Sequence, residues 1–425
     1  MESPQARQTP RPASIHWTAS LFLLAQGQLV SELGNVVYQI ALGFFVLAKT
    51  GSTGLMGALM ALGLLPRVLF SPLAGVVVDR IDRKWLIVLS DAVAGVAVSA
   101  VGLAGLSGRL ELWMLFAAAV VSGTAGAFLS PAIDAAVPDI VPDSRLVRAN
   151  SVFAAIHTAA GIFGNVAGGF LFRVLGAPLL FLANGLSFLA SAGTEAFARI
   201  PRVYRDGDRF PSLIDEFRAG AAFVWQNPGL KRLLGVALVV NFFGTMAHFL
   251  ILPLFNGISR LGPQAYGIAM GCFAGGALAG LAMLSAFEIR SDRRFGLFIM
   301  VGIVDAACMI VFPWLPGLWM MAAVITLGGM ASSMANTLLL VGFQLAAPPS
   351  VRGRVLGLRN SLILASAPIA IALAGILAEF FSIRGLITAA SSAVLGGFIA
   401  ALSLPSVRAT ITALPQHPDV GEERK

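Results

Sequence analysis

The apolar positions of this chain come in runs too long for the core helices of a soluble protein. Leu112 to Leu129 and Leu362 to Ala378 contain no charged residue. A run of about 18 or more apolar residues reads as a bilayer crossing, because about 20 residues at 1.5 Å rise traverse the hydrocarbon. The pattern predicts about twelve spans, at 17–47, 54–79, 85–106, 112–134, 149–172, 178–198, 230–257, 265–287, 294–314, 317–341, 353–378 and 385–404. None alternates with the period of two that a barrel strand needs, and lipid admits only helices or closed barrels. The expected class is therefore an all-α integral membrane protein. Residues 1–16 are polar, with Pro4, Pro10 and Pro12. The apolar stretch after them is too long for a signal-peptide core, so the first helix is expected to stay in the membrane.

Polar residues between the runs set the orientation. The N-terminal tail, the even-numbered loops and the C-terminal tail hold 23 of the 29 Lys and Arg; Lys49, Arg109, Arg173, Arg260 and Arg384 lie in odd-numbered loops, and Arg67 falls inside a span. Basic loops stay cytoplasmic, so both termini are expected inside. The formal net charge of +8 is accounted for by this asymmetry and does not imply nucleic-acid binding. The widest gap carries Arg199, Arg202, Arg205 and Arg209, then Phe210, Leu213, Ile214, Phe217 and Phe223 at helical spacing. It reads as a basic amphipathic linker lying at the cytoplasmic interface. The expected organisation is a tail (1–16), a six-helix bundle (17–198), the linker (199–229), a second six-helix bundle (230–404) and a tail (405–425).

The two bundles look related. A shift of 210 residues brings Asp82-Arg83-Lys84 onto Asp292-Arg293-Arg294, Gly34 onto Gly244, and Asn150-Ser151 onto Asn360-Ser361. Parallel repeats of this kind place a binding site between the halves.

Composition agrees: 57% of residues are hydrophobic and 12% charged, about half the charged share of a soluble domain. Cys272 and Cys308 sit inside apolar spans, and no metal or disulfide spacing is present among the cysteines or the histidines. No cofactor is expected.

Four stretches carry a resemblance. Gly75-Val-Val-Val-Asp79-Arg80-Ile-Asp82-Arg83-Lys84 is similar to the loop signature G-x-x-x-D-R-x-G-R-K of the major facilitator superfamily, with Asp82 at the second Gly. Ala160-Gly-Ile-Phe-Gly164-Asn165-Val-Ala-Gly168-Gly169 resembles the antiporter motif of its fifth helix, with Asn165 where the family has Pro. Pro131 to Pro138 with Arg148-Ala-Asn150-Ser151, and Arg352-Gly353-Arg354-Val-Leu-Gly357, resemble loops of its drug and siderophore exporter branch, which includes macrolide-efflux-like and enterobactin-exporter-like proteins. The resemblance covers Leu29 to about Leu404. It implies the major facilitator fold, with two six-helix pseudo-repeat bundles, and a monomeric transporter. It also implies that Gly75, Asp79, Arg80, Arg83, Lys84 and Arg352 form a conformational gate. Asp79 would meet the positive N-terminus of the eleventh span when the cytoplasmic side closes. Gly161, Gly164, Gly168 and Gly169 offer a small-residue face for close, sliding helix contacts.

Ionisable residues at mid-bilayer are costly and need a partner or a purpose. Glu32, Arg67 and Asp305 lie near mid-span. Gln28, Glu32, Asn35 and Gln39 follow the i, i+4, i+7, i+11 spacing of one helix face, which predicts a cavity lining. Glu32 and Arg67 have similar depth on neighbouring spans and are expected to pair. Either Glu32 exchanges a proton during transport, or the pair is static and orients two helices. Asp305 has no partner evident in the sequence, and it faces either a cavity or another helix. Asp91 is expected to snorkel or meet loop cations in a structural role. Tyr38, Asn241 and Asn336 are substrate candidates, with interhelical hydrogen bonding as the alternative.

The leading expectation is proton-coupled export of a small amphipathic molecule. Import of a lipid-like or nutrient substrate, and a non-transporting sensor or scaffold, are the alternatives. Among the residue patterns there is no clustered nucleophile, base or acid for an enzyme and no Walker loop for ATP-driven transport.

Overall fold

The computed structural model describes residues 17–201, 213–258 and 261–412. Arg202, Arg205, Arg209, Phe210, Arg260 and residues 1–16 and 413–425 lie outside the described residues; the expected C-terminal tail begins as a short helix. In the first half, α1 spans Trp17–Thr50, α2 Thr53–Arg80, α3 Arg83–Leu106, α4 Leu112–Ile140 and α5 Leu146–Glu195. A short helix follows, α6 (Leu213–Gln226). The second half holds α7 (Pro228–Phe249), α8 (Ile251–Gly257), α9 (Gly262–Ala286), α10 (Ser291–Val311), α11 (Leu318–Ala346), α12 (Pro349–Phe380) and α13 (Ile383–Leu402), with α14 (Pro405–Ile411) at its end.

Among the described residues, eleven stretches are long and apolar enough to cross a membrane. One of them, Asp143–Glu195, has 53 residues, more than twice what one crossing needs. Gly176 divides it. Its φ of 72° and ψ of 169° are open to glycine and costly for any side chain, and Pro178 follows two residues later. The helix therefore reverses at Gly176, and the described residues provide twelve crossings. The sequence expectation of separate fifth and sixth spans thus becomes one helical run bent at a glycine. A milder break separates α7 from α8. Pro253 cannot donate to the Phe249 carbonyl and crowds it, so the helix stops at Phe249 and restarts.

Local signals start the helices. Ser52 accepts from the Leu55 amide at 3.0 Å, Asp82 from Lys84 at 3.0 Å, and Asn227 from Gly229 and Leu230 at 3.1 and 3.3 Å. Each satisfies amides that have no partner within their own helix. Asp82, the departure from the loop signature, thus serves as the cap of α3. Several boundaries move by a few residues; among them, α4 continues to Ile140, beyond the expected 134, and α12 begins at Pro349, so Arg352 lies inside a helix rather than before one.

The halves share one packing scheme. In the first, α1 packs on α5, α2 on α4, and α3 on the returning limb of α5. In the second, α7 packs on α12, α9 on α11, and α10 on α13. These are the same partners after the repeat shift, as a parallel duplication requires. The halves meet mainly through two pairs, α2 with α12 and the first limb of α5 with α9, with a smaller contact of α1 on α8. The amphipathic α6 rests on the start of α12, where Gly220 lies against the Arg354 carbonyl. That end of the bundle carries the basic loops and both ends of the described chain, and is called the basic face below.

Candidate functional site

Two adjoining cavities lie where the halves meet. One, of about 230 Å³, is walled by the first half, and Gln28, Glu32, Asn35, Tyr38, Gln39 and Arg67 line it. The other, of about 520 Å³, is walled by the second half, and Asn241, His248, Asp305 and Asn336 line it. Met60 of α2 and Ile371 of α12 line both. The polar stripe of α1 therefore faces a cavity, while its neighbours Leu29 and Val30 are the exposed side chains of that turn. Such a segregation is what burial of polar groups in an apolar bundle demands.

Within this space, several contacts differ from the expectation. Glu32 does not pair with Arg67. Its carboxylate lies 3.6 Å from the His157 ring of α5, and Arg67 lies along α4 at Gly126. The two share the cavity and a similar depth, but their helices point them to different walls. Asp305, without an evident partner in the sequence, lines the second-half cavity together with Ser332 of α11. Asn241 accepts from Ser366 of α12 at 3.2 Å. Tyr38 is buried edge-on against Phe181, with ring centroids 5.2 Å apart. His248 contacts its own Gly244 carbonyl at 2.9 Å and the Phe273 ring.

Asp91 departs furthest from expectation. It neither snorkels nor meets a cation; it is fully buried and faces Glu195, at the end of α5, and Ser191. Glu195 is buried as well and accepts from Gln28 at 3.2 Å. Sequence reasoning passed over Glu195, because an acid in the last turn of a span reads as an interfacial residue.

Contacts between the halves are distributed unevenly. At the face opposite the basic one, a Cβ added to Gly57 of α2 would lie 2.9 Å from the Ile371 carbonyl and 3.0 Å from Gly375 of α12. One added to Gly169 of α5 would lie 3.1 Å from Gly267 of α9 and would collide with the Pro263 carbonyl. Two polar contacts accompany this approach. Glu379 of α12 accepts from Ser52 Oγ at 2.8 Å and from the Gly54 amide at 2.7 Å, and Arg173 donates to Gln264 at 2.6 Å. Towards the basic face, a Cβ on Gly75, Gly353 or Gly357 would touch nothing. The halves thus close the cavity on one side and part on the other.

The signature-loop residues sit at this open end. Arg83 joins Asp79, at 3.4 Å, to Asp139 of α4 and also donates to the Ala135 carbonyl at 3.2 Å. Asp79 makes no contact with the start of α12 in this conformation, and Arg352 donates to its own Ala347 carbonyl. Arg80 is exposed, and the Lys84 ammonium lies over the Trp85 ring. The glycines of α5 divide their work: Gly164 and Gly168 admit Val36 and Ile40 of α1, whereas Gly169 meets α9. Asn165 donates to the Gly161 carbonyl at 2.6 Å, so the helix stays continuous where the family motif has Pro.

Comparison with known proteins agrees with this architecture. The family described as transmembrane secretion effector matches residues 15–419. Macrolide efflux protein A of Streptococcus pyogenes is 26% identical over 381 residues, covering 86% of this chain and 90% of its own length. Multidrug efflux pump Tap of Mycobacterium tuberculosis is 26% identical over 399 residues, covering 91% and 94%. Among solved structures, a bacterial homologue of the human lysosomal transporter Spinster, inward-facing and unoccupied, superposes with a TM-score of 0.68 at 14% identity, covering 95% of this chain and 100% of that one. The nucleoside transporter NupG superposes with a TM-score of 0.67 at 12% identity, covering 90% and 99%. At these identities the two structures establish the fold.

Proposed function

Since the chain belongs to the transmembrane secretion effector family, a branch of the major facilitator superfamily, we propose that it exports a small amphipathic molecule in exchange for protons. The substrate class is that of drugs, macrolides or siderophores, and the route is alternating access across a bacterial cytoplasmic membrane. The membership itself makes the chain a multi-pass membrane transporter, not an enzyme. Direction, coupling and substrate class are our reading.

One observation carries it. A polar cavity in each half opens on the same shared space, between Met60 and Ile371, and the halves touch at one face and part at the other. A sensor or scaffold has no use for a polar central hollow with a parted entrance. The linings suit an amphipathic guest. Leu42, Leu59, Met60 and Phe188 offer apolar surface beside the polar stripe of α1, and Met270, Phe249 and Phe273 do so beside Asn241 and Asn336. Glu32, with its side chain 30% exposed, supplies the acid for a cationic group or a proton. The names of the curated relatives, macrolide and multidrug efflux, favour export over uptake. By the distribution of Lys and Arg the parted face is cytoplasmic and both termini are inside. The chain acts as a monomer in this reading, with lipid around it and no nucleic acid.

Cells with and without the gene, challenged with a panel of macrolides, dyes and siderophores, test the proposal. Export predicts greater accumulation of at least one compound in the deleted strain, relieved when the gene is restored. Reduced uptake in that strain would reverse the direction. For the coupling role, Glu32→Gln should lower pH-gradient-driven transport; full retention would remove Glu32 from it.

A further inference from the structure

Behind the cavity wall lies a group that the reading above leaves unused. Asp91 of α3 is 0% exposed and Glu195 of α5 is 1% exposed, and their carboxyl groups face one another. Gln28, 6% exposed, stands between them and the first-half cavity, donating to Glu195 Oε1 at 3.2 Å. Both Asp91 oxygens, Glu195 Oε2 and the buried Ser191 hydroxyl have no hydrogen-bond partner among the described residues. The site is also fitted to α1. A Cβ on Gly27 would lie 2.6 Å from Ser191 Oγ and 3.1 Å from Glu195 Oε1, so a glycine there lets α1 cover the acids.

Charge makes the arrangement unusual. Glu32, one turn along α1 from Gln28, acts on Asp91 as another like charge. Arg83 at the start of α3 is engaged by Asp79 and Asp139. His157 of α5 faces Glu32 and lies near Asp134 of α4. Among the described residues neither Asp91 nor Glu195 forms an ion pair. Two buried carboxylates without a cation repel each other and leave their lone pairs unmet; with a proton between them, one becomes the donor that the other lacks.

We propose that Asp91 and Glu195 form a second proton-carrying site, reached from the cavity past Gln28. Uptake forms one O–H bond on the pair as one breaks on a hydronium ion or on protonated Glu32, and release reverses this. Gln28 can donate to Oε1 in either state, because a carboxyl carbonyl accepts as a carboxylate oxygen does and the unpartnered Oε2 is left for the shared proton. The inference rests on the proton-coupled reading, and the test separates the two.

Infrared spectra of the full chain in lipid vesicles are expected to contain a protonated-carboxyl band at neutral pH that Asp91→Asn and Glu195→Gln each abolish. In the same vesicles, ethidium accumulation driven by an imposed pH gradient should fall by about tenfold or more in Glu195→Gln. Glu195→Asp, which keeps the carboxyl, should restore part of it, as a purely structural role would not. A wild-type spectrum without the band would overturn the proposal, and that readout needs no variant to fold. Wild-type accumulation in Glu195→Gln, or accumulation following a sodium gradient instead, would overturn it too. A band present in the wild type with no pH-driven ethidium movement would sink the coupled-export reading alone.

Discussion

At the face remote from the chain ends, α2 and α12 meet backbone to backbone, and Glu379 caps the start of α2 across the junction. At the basic face the same two helices have separated, and the acidic group there, Asp79, turns instead to Arg83 within its own half. At the closed end the carboxylate meets a helix N-terminus, where a partial positive charge and free amides favour it. The closed end uses that contact between halves, whereas the open end keeps its acid at home. The difference teaches what holds this conformation: glycine contacts that permit close approach, with charge-assisted bonds at the rim. Such contacts can form and break as units, as the proposed exchange of one closed face for the other requires.

The largest disruption of the closed end should come from Gly169→Leu. Its side chain would press on Pro263 and Gly267, and forcing extra atoms into a packed contact costs about 1–3 kcal/mol or more, so transport should drop about ten- to a hundredfold. Transport assays in vesicles check this, and wild-type rates would show that the contact is dispensable. Next comes Glu379→Gln, which removes a charge from an exposed helix cap. Labelling of an Asn35→Cys reporter from the remote face should rise about two- to fivefold, in a background lacking Cys272 and Cys308. Unchanged labelling would remove Glu379 from the latch.

Asp79→Asn acts on the other state. Arg83 keeps Asp139, so the open conformation should be little altered, and labelling of the same reporter from the basic face should rise by about twofold at most. A fall would mean that Asp79 holds the face open. Smallest of all is Gly357→Ala. Its methyl group meets empty space here, and thermal unfolding should move by no more than about 0.5 kcal/mol. A large loss would reveal a contact that forms at Gly357 when the basic face closes.

Much of this frame was legible in the sequence, because hydropathy and charge act through local physics. Twelve crossings follow from run lengths, and the cavity-facing stripe follows from the spacing of Gln28, Glu32, Asn35 and Gln39. What eluded the sequence is azimuth and burial. Depth along a helix places Glu32 and Arg67 together, but only packing decides that one turns to His157 and the other lies along α4. Glu195 and Glu379 sit in the last turns of their helices, where an acid normally reaches water. Close approach of α1 at Gly27 buries the first, and docking of α12 on α2 engages the second. Such residues become conspicuous once two helices are known to touch.

Spin-label distances across both faces test the central claim, that the halves rock about the shared cavity. One labelled pair would replace Leu73 and Gly353 at the basic face, and the other Leu55 and Phe380 at the remote face. As ethidium is added and the pH lowered, the first distance should shorten while the second lengthens. Distances that stay fixed, or change together in the same sense, would contradict the account.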